Sequence, residues 1–322
     1  MAVTALINSR ELEVPQGVTL IEIAEELGIR VQNSCQQQGK CRECLVEVVE
    51  GMECLSPRSN EEMALRGRFR LACKAEIRAD AGTVRCNTMR RGALRIEESA
   101  HELAVQNRAP CFDPAVKRSD KRVLLGDSDV GSFSGALFGL AIDLGTTTVV
   151  VRLVDLLGGG VVASQSFENP QRFAGSDVMS RIRYDGEDGN QLLRHVLLGY
   201  LAEAIRVLPC RPHEIYETVV AGNTTMRDLF FGLDVQSIGV KPFRSLVEFE
   251  YRAGKRTQTA IEIGGDQAGF PMNPRGRVYG LPLIGSHVGA DAAACLLAVS
   301  LPEEESAVIV MDIGTNTELV IG

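Results

Sequence analysis

The sequence predicts a multidomain chain, a compact α+β unit followed by an α/β layered region, on three observations. Three cysteines crowd the ten residues CQQQGKCREC, Cys35 to Cys44, inside a short unit whose apolar spacing switches between strand and helix periods. Beyond about residue 136, strands rich in Val, Ile and Leu interleave with helical stretches, which indicates α/β layers. The phrase D-[LI]-G-T-x-T occurs twice, at Asp143 and at Asp312, and a repeat of that kind suggests two duplicated lobes.

The opening reads as a hairpin, with Val3 to Ile7 and Glu11 to Val14 alternating around Asn8-Ser9-Arg10. A helix follows. Thr19 is placed to cap it, Glu22 completes a capping box, and Leu20, Ile23, Ala24 and Leu27 recur at helical spacing before Gly28 stops the run. After the cysteine loop come an alternating strand at Leu45 to Val49 and a second strand at Phe69 to Ile77 around Cys73. The expected divisions are a first unit over residues 1–95, a linker over 96–136, a first lobe over 137–305 and the start of a second over 306–322. The linker rests on lost periodicity, in NRAPCFDP, KRSDKR and GDSDVGSFSG. Strands are expected at Leu137 to Ile142, Val149 to Val154, Val161 to Phe167, Thr218 to Ala221 and Ala307 to Met311. Helices are expected near Asp177 to Tyr184, Gln191 to Leu208 and Ala290 to Val299.

Composition excludes several classes. A net charge of −8 argues against a nucleic-acid surface, which needs clustered Lys and Arg for phosphates. No apolar run approaches the roughly 18–20 residues that cross a bilayer, and MAVTALINSRELEV lacks the basic start and apolar core of a signal peptide, so a cytoplasmic protein with no membrane partner is expected. Nine cysteines in a reducing compartment favour metal ligands over disulfides where they cluster. Cys54, Cys86, Cys111, Cys210 and Cys295 stand apart and read as small apolar residues.

Cys35, Cys41, Cys44 and Cys73 are spaced C-x5-C-x2-C-x28-C. A [2Fe–2S] cluster takes four thiolates, three from one loop and the fourth from a distant strand. A four-cysteine zinc site more often offers two close pairs, and free thiols are the plain alternative. Cys54 also lies within the long gap and competes for the fourth position. Gly39 allows close backbone approach to the cluster, and Arg66, Arg68 and Arg70 before Cys73 read first as a solvated basic face.

In LFGLAIDLGTTTVVVRLVDL and AVIVMDIGTNTELVIG an apolar strand ends in Asp, Gly-Thr-x-Thr makes a tight turn and a second strand follows. Such a turn aims amide N–H groups and Thr hydroxyls at one point, an anion site, and the strand-end Asp can hold Mg²⁺ directly or through water. The chain has no G-x-x-x-x-G-K-[ST], so a P-loop is not the phosphate device. Asp143 and Asp312 are the candidate catalytic carboxylates. Gly145, Thr146, Thr147 and Thr148, with Gly314, Thr315, Asn316 and Thr317, are the candidate ATP-binding turns.

Residues 1 to about 90 resemble a β-grasp [2Fe–2S] ferredoxin, with the five-residue first gap of the adrenodoxin-like branch and RLACKAEI as its return strand. The repeated phrase resembles phosphate motifs 1 and 2 of the superfamily of actin, sugar kinases and heat-shock chaperone ATPases, whose nucleotide lies between ribonuclease H-like lobes. Joined in one chain, with VVAGNTTMRDLF and LPLIGSHVGADAAACLLA between the two turns, the motifs resemble the reductive activators of corrinoid proteins. The resemblance implies an ATP-dependent activator with a [2Fe–2S] cluster and ATP with Mg²⁺, passing single electrons to a Co(II) corrinoid. It implies a corrinoid-binding protein or methyltransferase as partner and an upstream electron donor, and leaves a homodimer open. That superfamily carries most of a second lobe after the second turn, so a sequence stopping at Gly322 is expected to be a fragment, ELVIG leaving an apolar edge unpaired.

Asn223 and Thr224 follow the strand TVVAG at a position suited to the cleft, while Thr224 or Thr225 equally serves as cap of the next helix. Asp291 reads as a helix-start carboxylate before a cleft residue, Asp266 as turn chemistry, and no histidine has a partner at ligand spacing. Two rival functions stay open at this level: an electron carrier with a non-hydrolysing docking domain, and an ATP-dependent small-molecule kinase with a redox domain.

Overall fold

The computed structural model describes residues 2–31, 33, 37–39, 43–89, 112–299, 308–313 and 317–321. Cys35, Cys41, Cys111, Gly314, Thr315, Asn316 and the expected boundary at residue 95 lie outside them.

Strands β1 (Val3–Ile7) and β2 (Arg10–Val14) form the expected hairpin, and Asn8 and Ser9 turn it at positive φ. Helix α1 (Leu20–Glu26) starts at the Thr19–Glu22 capping box and presses Leu20, Ile21, Ile23 and Ala24 into the core. Strands β3 (Leu45–Glu50), β4 (Phe69–Leu71) and β5 (Gly82–Thr88) complete a five-stranded sheet in the order β2-β1-β5-β3-β4, with β1 and β5 parallel. A helix laid on a mixed sheet of this order is the β-grasp arrangement. The central strand β5 escapes the sequence because only Val84 in GTVRCNT carries a strong apolar signal. The expected strand through Cys73 is shorter than read: β4 ends at Leu71, and the chain turns at Ala72–Lys74.

Part of the expected linker is folded. Strands β6 (Val116–Ser119), β7 (Arg122–Leu125) and β8 (Ser128–Ser132) form a three-stranded antiparallel sheet. Each buries one valine, Val116, Val123 or Val130, against Leu137 and Tyr216. One apolar residue in each of β6 and β8, and an unalternating RVLL in β7, give no periodic signal, which is why the segment reads as loop.

The main layer is a six-stranded sheet of β9 (Phe138–Leu144), β10 (Thr148–Asp155), β11 (Val161–Glu168), β12 (Ile215–Gly222), β13 (Ile261–Gly264) and β14 (Arg277–Gly280), ordered β11-β10-β9-β12-β14-β13. β9, β10 and β11 run antiparallel as a meander, while β12 lies parallel to β9 and β14 parallel to β12. That order and those directions are the ribonuclease H-like lobe expected from the sequence. Helices α2 (Val178–Asp188), α3 (Leu192–Arg206), α4 (Thr224–Phe231) and α5 (Leu246–Arg252) belong to this region. α3 buries Leu193, Val196, Leu197, Leu201 and Ile205, each contributing roughly 1.5–3 kcal/mol by area removed from water. Helix α6 (Ala290–Ala298) packs against β12 and against β15 (Ile309–Ile313), which pairs with β16 (Thr317–Ile321). No described helix is long and apolar enough to cross a membrane.

The two units share one apolar core. Phe69 at the end of the first sheet meets Phe173, which meets Tyr184 of α2. Around these rings Tyr184 Oη donates to the Ala64 carbonyl at 2.8 Å, Arg172 pairs with Glu47 at 3.1 Å, Arg30 pairs with the buried Glu203 at 2.8 Å, and Arg66 pairs with Glu187.

Candidate functional site

The cysteine site is built from β3, β4 and the turn after it. Cys44 immediately precedes β3, Cys73 sits in the turn after β4, and the backbone bond from Ala72 N to Cys44 O, 2.7 Å, brings the two segments together. Their sulfurs are 3.2 Å apart and both residues are buried. The Cys73 thiol is held below its ordinary value chiefly by its hydrogen bond with Cys44; burial opposes this, and Lys74 and the Gly39 amide add to it. Gly39 is at φ +77, a left-handed conformation that favours glycine. Cys54 is elsewhere, its sulfur against Gly82. Two thiols from separate segments meeting under a glycine loop fit a four-thiolate cluster.

Arg70 does not belong to a solvated basic face. It is 1% exposed, and its guanidinium holds Glu62 through two bonds of 2.7 and 3.0 Å. Glu62 also accepts from Leu71 N at 2.9 Å, which anchors β4 next to Cys73. A basic run in sequence cannot reveal that its third member turns inward.

The second site is a cleft of about 960 Å³ at the ends of β9 and β12. The two strands are parallel, with Ala221 opposite Asp143 and Gly222 opposite Leu144, so both chains leave the sheet at one edge, where α/β sheets bind ligands. Asp143, Gly145, Thr146, Thr147, Thr148, Asn223, Asp291, Cys295, Asp312 and Glu318 are in its wall. Gly145 is obligatory, since a Cβ there would lie 2.5 Å from the Thr148 carbonyl.

Asn223 caps α4 by accepting from Met226 N at 3.0 Å and donates to Thr146 Oγ1 at 3.1 Å, so it serves as cap and cleft residue together. This corrects the choice of Thr224 or Thr225 as cap. Thr224 is also not a cleft residue: it is fully buried, and its hydroxyl donates to the Ser286 carbonyl at 2.6 Å. Gly289 brings the start of α6 against the start of α4, where a Cβ would meet Asn223 Cα and Thr224 N at 2.5 Å. Two helix N-termini thus converge on one edge of the cleft.

Burial pushes the Asp143 carboxyl up, and the charge of Asp312 adds to it. Asp291 is raised by burial, then by Asp312 and Asp143, against the bond it accepts from Ala292 N. Glu318, opposite Asp312 in the β15–β16 pair, is raised by burial and by Asp291 and Asp312. Burial raises the Cys295 thiol too, followed by the same carboxylates, which leaves it an unreactive neutral wall residue. The acids sense one another, yet among the described residues no three of His, Cys, Asp or Glu form a ready metal cage.

Residues 138–304 match the model of the RACo middle region. The chain belongs to this family. Residues 5–78 match the 2Fe-2S iron-sulfur cluster binding domain. The RACo-family chain is 28% identical to the corrinoid activation enzyme RamQ of Eubacterium limosum, over 97% of this chain and 57% of that protein. A solved structure titled as a reductive activator for corrinoid, iron-sulfur protein matches with a TM-score of 0.59 and 27% identity, over 99% of this chain and 61% of that one. The first unit is 36% identical to Ferredoxin-1 of Aquifex aeolicus over 18% of this chain and 59% of that protein. The chain therefore spans about three-fifths of the length of its long relatives.

Behind the Gly145–Thr148 turn of this RACo-family chain stand residues that no sequence motif marks as part of the site. Asn169 Nδ2 donates to Gly145 O at 2.8 Å, Asn169 N donates to Thr147 O at 2.7 Å, and Arg181 Nη2 donates to Thr146 O at 2.6 Å. FENPQRF does hold a signal for Asn169, because Asn before Pro reads as a helix cap with Pro in the first turn, and Asn169 does cap Pro170–Ala174. Arg181 has no comparable mark. Thr317 begins β16 and is exposed outside the cleft wall, whereas Glu318, not singled out from sequence, lines it.

Proposed function

We propose that this chain is the electron-delivering and nucleotide-binding part of an ATP-dependent reductive activator of a corrinoid protein. Cys35, Cys41, Cys44 and Cys73 would hold a [2Fe–2S] cluster, which supplies one-electron transfer when bound. Asp143 and Asp312 would hold Mg²⁺, with Gly145 to Thr148 and Gly314 to Asn316 gripping ATP phosphates and Asn223 holding the Thr146 hydroxyl in place. The partner would be a corrinoid-binding protein or methyltransferase whose Co(II) is returned to Co(I), with a separate protein donating electrons in the cytoplasm.

The observation that carries this reading is that Asp143 and Asp312, from the two D-G-T hairpins, line one cleft. The cysteine-bearing unit packs on the same lobe through Phe69 and Phe173. Such a pairing has a thermodynamic use. An uphill electron transfer costs roughly 2.3 kcal/mol per 100 mV, and nucleotide binding can offset it only by favouring one conformation over another.

The test is ATP hydrolysis by the full-length protein, with and without a Co(II) corrinoid protein, together with its anaerobic visible spectrum. Hydrolysis stimulated by the corrinoid partner and lost in Asp143→Asn and Asp312→Asn is expected. A colourless, zinc-containing protein, or hydrolysis indifferent to both aspartates, would sink the reading.

A further inference from the structure

Among the described residues three arginines are fully buried: Arg70, Arg181 and Arg227. Arg70 is neutralised by Glu62 and Arg227 by Asp228, each at 2.7 Å. Arg181 is 1% exposed and, among the described residues, has no carboxylate at ion-pair distance. Its guanidinium instead donates to neutral groups: Nη2 to Thr146 O at 2.6 Å, Nη1 to Gln171 Oε1 at 3.3 Å and Met226 Sδ at 3.1 Å, and Nε to Gly175 O at 3.3 Å. Burial lowers its pKa to about 10, with Asp177 at the start of α2 opposing the fall, so the group remains a cation at neutral pH. A buried charge without a carboxylate at ion-pair distance is costly, even with Asp177 acting on it from farther away, and here it stands one peptide unit behind the turn that lines the cleft.

We propose that Arg181 is a positioning residue for the anionic end of the cleft ligand, a nucleotide polyphosphate. It acts in two ways. A planar trans peptide whose carbonyl is held toward Arg181 points the Thr147 N–H the opposite way, on the side where Thr147 lines the cleft. The guanidinium charge, with which no described carboxylate forms an ion pair, is then further compensated when an anion binds across the turn, an attraction that low dielectric strengthens. The inference rests on the phosphate-binding reading of the cleft and adds a residue that neither D-G-T phrase contains.

The experiment uses the full-length protein and titrates Mg-ADP, inorganic pyrophosphate and adenosine by calorimetry against wild type, Arg181→Met, Arg181→Gln and Arg181→Lys. The uncharged variants should weaken Mg-ADP and pyrophosphate by at least about tenfold while leaving adenosine affinity unchanged, and Arg181→Lys should recover most of the loss. Unchanged Mg-ADP affinity in a folded Arg181→Met or Arg181→Gln protein overturns the proposal. Equal losses for adenosine and Mg-ADP also overturn it, since they describe a merely structural residue. In the unaltered protein Mg-ADP should slow amide exchange in α2 around Arg181, and unchanged exchange there counts against the proposal even if no variant folds. Wild type that binds pyrophosphate but no nucleotide defeats the nucleotide reading alone, and wild type that binds neither defeats both.

Discussion

The ring of Phe69 meets the ring of Phe173 edge-on, with centroids 6.1 Å apart and planes at 64°. Phe69 opens the strand that leads to Cys73, and Phe173 lies in the segment that Asn169 ties to the Gly145–Thr148 turn. The contact therefore links the two candidate sites. Phe173→Ala should cost about 3–5 kcal/mol, as truncating a buried aromatic does. A double-mutant cycle with Phe69→Ala in urea denaturation should return a coupling of about 0.5–1.5 kcal/mol, and a coupling of zero would mean the rings merely coexist.

Cys73→Ser should abolish the visible absorption of the anaerobically purified protein, whereas Cys54→Ser should leave it intact. The reason is geometric: the Cys73 sulfur lies 3.2 Å from that of Cys44, while the Cys54 sulfur lies against Gly82. Loss of colour in Cys54→Ser alone would reverse the assignment.

Asp143 should make nucleotide binding depend on pH. Burial and then Asp312 raise its pKa, so the protonated, metal-repelling form persists to a higher pH than for an ordinary aspartate. Mg-ATP affinity should fall as pH falls toward that raised value. Asp143→Asn should lose at least about tenfold in Mg-ATP affinity at neutral pH and show a shallower dependence, read by calorimetry across pH. A variant with the wild-type slope would remove Asp143 from the metal site.

Glu62 gives the opposite sign. Burial alone would raise its pKa, but the bonds from Arg70, Ser59 N and Leu71 N hold it below the ordinary 4.5. A depressed pKa contributes stability that is present above the unfolded value and is lost as pH falls through the folded one. Glu62→Gln should cost about 3–5 kcal/mol at neutral pH by stranding Arg70, and should flatten the acid limb of the stability curve measured by chemical denaturation.

Much of this molecule is legible in local sequence. The Thr19–Glu22 box, the Asn8-Ser9 turn and the apolar runs of β9, β10 and β11 depend on neighbours a few residues away, and the structure holds each near its expected place. The D-G-T turn is equally local, because Gly145 is required by its own Thr148 carbonyl. The three-stranded sheet over 116–132 is not, since the cluster that buries its valines is completed by Tyr216 of β12, far along the chain. Arg70 and Thr224 were misread for the same cause: whether a polar side chain faces water or a buried acceptor depends on segments brought up by folding.

The sequence by itself determined the chemistry available: four cysteines at cluster spacing, two phosphate-type turns, and the strands and helices that carry them. Tertiary structure decided which groups meet. It paired Cys44 with Cys73 and left Cys54 aside, gathered Asp143, Asp291, Asp312 and Glu318 around one cleft, and put Asn169 and Arg181 behind a turn they do not adjoin in sequence. Spacing along a chain constrains only nearby partners, whereas burial and charge compensation act across whatever the packed core brings into contact.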